Sequence, residues 1–201
     1  MAETAPKTGN PGEGLQGLEK AARLAGGRGL PPVHLWNPEN CGDLDIRIAG
    51  DGLWYYLGTP IGRKRLVRLF STVLRHDEDG RYYLVTPVEK IGIRVDDAPF
   101  TAVEMAVDGE GREQRISFRT NVDDVVTAGE EHPLRFENEK GTGGLKPYVH
   151  VRARLEALVV RPVFYDLVAA GTKEMRDGVE MFGVWSCGTF FAMAPAAEIG
   201  A

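Results

Sequence analysis

The sequence predicts an α+β protein built from two tandem, strand-rich repeats, each carrying one amphipathic helix. Three features predict it. Apolar and polar residues alternate in several short runs, the period lengthens to about 3.6 in other stretches, and the punctuation between runs recurs in the same order towards both ends of the chain.

Residues 1–13 are rich in Gly, Pro, Thr and Ala without periodicity and read as a disordered tail. Leu15, Leu18, Ala22 and Ala25 then recur at helical spacing until Gly26-Gly27 stops the pattern, which predicts a short helix before the Pro31-Pro32 break. From Asp43 the period is two. Leu44, Ile46 and Ile48 alternate with Asp45, Arg47 and Ala49, and Gly50-Asp51-Gly52 turns the chain into Leu53-Trp54-Tyr55-Tyr56-Leu57, a β-hairpin. After Thr59-Pro60, Leu66, Leu69, Phe70, Val73 and Leu74 form the apolar stripe of a helix over residues 62–75. Asp79-Gly80 leads into a strand at Tyr82-Tyr83-Leu84-Val85. Strand-like pieces follow around 91–95, 100–107, 113–119 and 133–137, with Asp108-Gly109 and Glu110-Gly111 closing one hairpin. Beyond the loop Gly141-Thr142-Gly143-Gly144, the alternation from Tyr148 to Leu155 reads as one strand. Leu158 to Val160, a helix near 162–170, an Asp177-Gly178 turn and strands around 180–186 and 188–193 complete the chain.

The duplication rests on matched landmarks: Pro60 to Asp79-Gly80 corresponds to Pro162 to Asp177-Gly178, and Tyr82-Tyr83 to Met181-Phe182. Proline suits a first helical turn, whose amides are unpaired anyway, and Asp-Gly takes the positive φ of a tight hairpin. The competing explanation is chance alignment of common strand–helix–strand runs. The repeats are predicted over 14–87 and 88–201, with Thr86-Pro87-Val88-Glu89-Lys90 as the hinge and the largest cleft between the copies.

A chain of 201 residues with 43% hydrophobic and 26% charged residues has the composition of a globular protein, which excludes collagen-like and fully disordered classes. Its 24 basic against 29 acidic residues, net −5, give no global attraction to nucleic acid or an anionic membrane, so any anion site is local. Two cysteines, Cys41 and Cys187, form neither a disulfide framework nor a CxxC pair. The first 30 residues hold no apolar signal core and no stretch is long enough to span a bilayer, so the expected compartment is the cytoplasm, without membrane association.

Two basic segments are candidate ligand surfaces. The helix predicted over 62–75 carries Arg63, Lys64, Arg65, Arg68 and Arg75 and no acid. Cations in a first turn oppose the helix dipole at about 0.3–1 kcal/mol each, a sign that a bound phosphate reverses. The alternative is a solvated face neutralised by carboxylates from other segments. In the segment PYVHVRARL, Tyr148, His150, Arg152 and Arg154 share one face by the period of two. Tyrosine stacks rings and arginine forks to phosphate. The alternative is an exposed strand whose arginines pair across strands. No phosphate-loop pattern, no nucleophile–base set and no HxH or HExxH spacing occurs, so no catalytic residue, metal or cofactor is assigned.

The segments DGLWYYLGTPIGRKRLVRLF, YYLVTPVEKIGIRVDDAPF and LKPYVHVRARLEALVVRPVFYDLV together resemble a bacterial family catalogued as domain of unknown function 1285. The resemblance implies two similar strand-rich repeats, the second similar to pleckstrin-homology-like barrels, with a ligand cleft at their interface. It also implies a nucleotide- or nucleic-acid-like ligand and a role in signal transduction, with no established reaction. The resulting expectation is a non-enzymatic module that binds a small anionic ligand through Arg63, Lys64, Arg65, Glu89, Lys90, Tyr148, Arg152 and Arg161. Arginine and lysine would take phosphates, Tyr148 would stack, and Glu89 would accept from a base or ribose hydroxyl. The alternatives are a protein–protein interaction domain without a small ligand and, more remotely, a hydrolase; the oligomeric state is left open.

Overall fold

The computed structural model describes residues 11–25, 29–139, 141 and 144–198. The chain is strand-rich α+β and divides into two compact units. One comprises the described residues up to Ile48 together with Leu53–Arg94; the other comprises Ala49–Gly52 and the described residues from Val95 on. Most of the tail assigned to 1–13 lies outside the described residues, and from Pro11 the chain is helical.

The first unit contains α1 (Pro11–Ala25), β1 (Asn40–Ile48), β2 (Trp54–Tyr56), β3 (Thr59–Pro60), α2 (Lys64–Thr72), β4 (Leu74–His76), β5 (Tyr82–Val85) and β6 (Lys90–Val95). Its strands form one sheet in the order β3-β2-β1-β6-β5-β4. The predicted hairpin has Ile46 opposite Tyr56 and Ile48 opposite Trp54, and Gly52 takes φ +83° in its turn. Ile46, Ile48, Trp54, Leu74 and Leu84 are buried, as are Leu66 and Phe70 of α2, and the Trp54 and Phe70 rings lie 6.4 Å apart. Leu18 and Ala22 of α1 are buried, and the helix packs against α2.

The predicted helix over 62–75 is shorter at both ends. Thr59-Pro60 adds a short strand to the sheet, and the helix begins at Lys64. At the other end the Ser71 and Thr72 hydroxyls donate back to the Arg68 and Leu69 carbonyls, competing with the helical ladder. Val73 caps the helix and Leu74 enters the core from β4. An inward-pointing Leu74 satisfies either period, so the stripe could not reveal the switch, and Arg75 belongs to a strand. The Thr86–Lys90 segment, expected to be a hinge, is the turn joining β5 to β6, closed by the Thr86 amide donating to the Glu89 carbonyl at 2.9 Å.

The second unit contains β7 (Phe100–Asp108), β8 (Arg115–Thr120), β9 (Val125–Thr127), β10 (Leu134–Asn138), β11 (Leu145–Arg152), β12 (Leu155–Val159), α3 (Arg161–Ala169), β13 (Thr172–Arg176), β14 (Val179–Ser186) and β15 (Thr189–Pro195). Two sheets form, β10-β11-β12-β7-β8-β9 and β13-β14-β15. Within the larger sheet β12 runs parallel to β7. Buried polar groups tie the two sheets: Ser186 Oγ accepts from the Ile116 amide at 2.9 Å and donates to the Ala128 carbonyl at 2.7 Å, and Gln114 Nε2 donates to the Trp185 carbonyl at 2.6 Å. Val163 and Leu167 are the buried residues of α3, which packs on β7 and β14.

The alternation from Tyr148 to Leu155 is two strands. β11 ends at Arg152, Ala153 takes φ +48° in the turn, and β12 begins at Leu155, so Arg154 lies in the turn beyond the Tyr148 strand. Strand–strand–helix–strand–turn–strand–strand recurs in both units, from β2 to β6 and from β11 to β15, the first unit adding β1 ahead of it. The sheets differ: the first unit places its copy in one sheet, and the second divides it between two. No helix among the described residues is long and apolar enough to cross a membrane.

Candidate functional site

The second unit holds a cavity of about 450 Å³ where β12 passes into α3. Local sequence makes that junction. Val160 is extended, and Pro162 sits in the first helical turn, where its missing N–H costs nothing. Arg161 opens the helix, and Tyr165 lies one turn on, so helical spacing brings the two together. Arg161 Nε donates to the Tyr165 hydroxyl at 2.8 Å, a bond that holds the Arg161 pKa above its ordinary value. No carboxylate among the described residues pairs with Arg161 within 4.0 Å.

Lys146 of β11 supplies the second cation of the lining. Its ammonium donates to Asp97 Oδ2 at 2.7 Å, which raises its pKa, while the Tyr148 hydroxyl donates to the other oxygen of the same carboxylate at 2.8 Å. Asp97 therefore fixes Lys146 from behind. Glu139 contributes a carboxylate, and Phe164, Tyr165, Pro147 and Leu158 give the cavity an apolar side. Tyr165 is 57% exposed, with the Arg161 guanidinium carbon 5.7 Å from its ring centroid. Two cations, one acceptor and two aromatic rings around a volume of this size suit a small anion that carries a flat ring.

The eight residues singled out in the sequence occupy separate environments. Arg63 precedes α2 and reaches Glu19 of α1 at 3.6 Å; Lys64 and Arg65 are exposed in a first turn that contains no acid. Glu89 lines an apolar groove of about 360 Å³ with Gly17, Lys20, Ala21, Leu24, Pro87 and Val88, and burial pushes its carboxyl pKa up. Lys90 is committed to Asp77 at 2.6 Å and lies 3.9 Å from the Tyr83 ring centroid. Tyr148 is buried, with Arg135 over its ring at 4.3 Å. Burial first, and then the bond to Asp97, raise its pKa, so the predicted stacking face is already covered. Arg152 pairs with Asp124 and lies over the Phe100 ring at 4.9 Å. Arg161 alone of the eight lines the cavity in the second unit.

Sequence reasoning missed Lys146, Glu139, Phe164 and Tyr165. The four-residue spacing of Arg161 and Tyr165 was a usable signal, because it stacks the pair on one helix face. Lys146 and Glu139 flank the glycine-rich loop, and only the pairing of β10 with β11 brings such positions together; residues 142 and 143 of that loop lie outside the described residues.

Two solved structures are similar to the chain. A crystal structure of a DUF1285 family protein from Silicibacter pomeroyi DSS-3 is 52% identical, with a TM-score of 0.83, covering 92% of this chain and 98% of that one. A crystal structure of a DUF1285 family protein from Shewanella baltica OS155 is 23% identical, with a TM-score of 0.50, covering 63% of this chain and 91% of that one, and supports the fold alone. No curated protein matches the chain. Residues 31–98 match the N-terminal domain of unknown function DUF1285, and residues 99–193 match the C-terminal domain of the protein of unknown function DUF1285. On this match across most of its length, the chain belongs to the DUF1285 family.

Proposed function

We propose that this protein is a non-catalytic module whose second unit binds a small anionic, nucleotide-like ligand in the cavity at the start of α3, and that it reads that ligand in signal transduction. The carrying observation is Arg161: it lines the cavity, is held by Tyr165 and forms no ion pair within 4.0 Å with a carboxylate of the described residues, the Glu139 charge acting on it from across the lining. Arg63, Lys90 and Arg152 already face Glu19, Asp77 and Asp124. In this reading Arg161 takes the anionic group, Lys146 adds its charge to the lining while bonded to Asp97, Tyr165 packs on the ring, and Glu139 accepts from a ligand hydroxyl or amine. The six-stranded and three-stranded sheets then act as two walls of a pleckstrin-homology-like barrel with the ligand at its rim.

A thermal-shift panel of inorganic phosphate, nucleoside monophosphates and nucleoside diphosphates tests the reading. A ligand at 100 times its dissociation constant stabilises by about 2.7 kcal/mol. A rise in melting temperature with a nucleotide, lost in Arg161→Ala, supports it; no shift with any member of the panel refutes it.

A second reading, a protein-interaction module, is favoured by the apolar groove beside α1, where Leu24 is 79% and Val88 76% exposed. Capture of a defined partner that is abolished by Val88→Asp, without a nucleotide-induced shift, would favour it over the first.

A further inference from the structure

We propose that the free edge of β13 pairs with β13 of a second copy, forming a two-fold symmetric, antiparallel strand addition centred on Met175. β13 is the outer strand of the three-stranded sheet, and Met175 is 61% exposed there although it is a large apolar side chain.

Backbone geometry selects which groups are available. Asp177 and Gly178 take φ +50° and +82°, a two-residue turn flanked by the register partners Arg176 and Val179. The residues flanking such a turn exchange both backbone hydrogen bonds, and the pattern alternates along the strand. Arg176, Glu174 and Thr172 therefore turn their backbone groups towards β14. The amides and carbonyls of Lys173 and Met175 face the open edge, a ready template for another strand.

Charge selects the partner and the register. In a symmetric antiparallel pair centred on Met175, Glu174 lies opposite Arg176 of the second copy and Lys173 opposite its Asp177, so each cation meets an anion. Centring on Lys173, Glu174 or Arg176 instead sets that residue against its own like charge. Directly opposed like charges destabilise a strand pair, and opposite charges stabilise it. The side chains are partly pre-positioned: Arg176 lies over the Trp185 and Phe190 rings at 5.4 and 5.2 Å, and Glu174 is held by Arg112 at 2.8 Å. Lys173, 3.4 Å from Glu180, opposes arbitrary strands, as edge lysines do, but is matched by Asp177 of an identical chain. The five residues of β13 bury far less surface than the roughly 1,200–2,000 Å² of a stable interface, so the dimer is concentration-dependent.

Light scattering and sedimentation across a concentration series of the full chain test this. Wild type is expected to move from monomer towards dimer; a monomer throughout overturns the proposal. Glu174→Arg and Arg176→Glu are each expected to be monomeric, because each sets like charges against one another across the two-fold axis. An equimolar mixture of these two variants is expected to dimerise, because each mixed pair again opposes Arg to Glu. Failure of the mixture while wild type dimerises overturns the register. Met175→Pro removes only an edge-facing amide and is expected to abolish the dimer with an unchanged circular dichroism spectrum; persistence of the dimer in that folded variant overturns the edge assignment. Should Met175→Pro not fold, the charge-swapped mixture decides.

Discussion

Replacing Asp77 by Asn removes one negative charge from between two cations while keeping the side-chain volume. Asp77 accepts from Arg75 Nε at 2.5 Å and Nη2 at 3.1 Å, and from Lys90 Nζ at 2.6 Å. The side chains of Arg75, Lys90 and Asp77 are 15%, 16% and 19% exposed, so little water is present to take over. Breaking a fully buried ion pair by removing one partner costs about 3–5 kcal/mol, against about 0–1 kcal/mol for an exposed one. Arg75 keeps its bonds to the Val33 and Trp36 carbonyls at 2.9 and 2.7 Å, and Lys90 keeps the Tyr83 ring, which moderates the loss. The expected destabilisation is about 2–3 kcal/mol. Urea unfolding followed by tryptophan fluorescence measures it, because Trp36 and Trp54 both lie in this unit. Burial raises the Asp77 pKa, but the hydrogen bonds and charges of Arg75 and Lys90 outweigh it and hold the carboxyl below its ordinary value. The unfolded chain therefore takes up this proton first. The stabilisation is complete above the ordinary aspartate range and is lost as pH falls through the lower, folded-state value. Wild type and Asp77→Asn are accordingly expected to converge in stability in strong acid. A loss under about 0.5 kcal/mol at neutral pH, the scale of an ordinary surface substitution, would refute the network as a structural element.

Two further substitutions test the second unit. At Gly183 an added Cβ would come within 2.2 Å of the Phe191 carbonyl oxygen and 2.9 Å of Ala192 Cα, both backbone atoms beside the register shift in β14 and β15. Gly183→Ala is therefore expected to lower the melting temperature by several degrees, and an unchanged melt would contradict the packing. Ser186→Ala leaves the Ile116 amide and the Ala128 carbonyl without their partner in a fully buried position, at an expected cost of about 1–3 kcal/mol by urea titration. Ser186→Thr tests whether the hydroxyl, rather than the residue's size, carries that cost.

Local rules made much of the fold legible. Period-two alternation located β1, an aromatic run located β2 and the Asp79-Gly80 turn located β5, and the Asp-Gly pairs at 79–80, 108–109 and 177–178 all fall in turns or strand ends where Gly takes positive φ. The short or polar strands were not legible. β13 reads Thr-Lys-Glu-Met-Arg, without alternation of hydrophobicity, because it is an exposed edge held by β14. β4 was absorbed into the helix because Leu74 fits either period, and β9 has only three residues. The basic residues were visible in sequence, but their partners were not. Glu19, Asp77 and Asp124 lie 44, 13 and 28 positions from the cations they meet, distances that only the folded chain closes. Arg161 differed because its neighbour Tyr165 is one helical turn away.

Isothermal titration of a nucleoside monophosphate into wild type and Arg161→Ala, at low and at moderate salt, tests the ligand reading most directly. A charge-assisted hydrogen bond contributes about 1.5–3 kcal/mol, so the variant is predicted to bind roughly tenfold to a hundredfold more weakly, with its melting temperature unchanged when no ligand is added. Equal affinity of the two proteins, or no heat of binding to wild type, would contradict the assignment of the α3 cavity as an anion site.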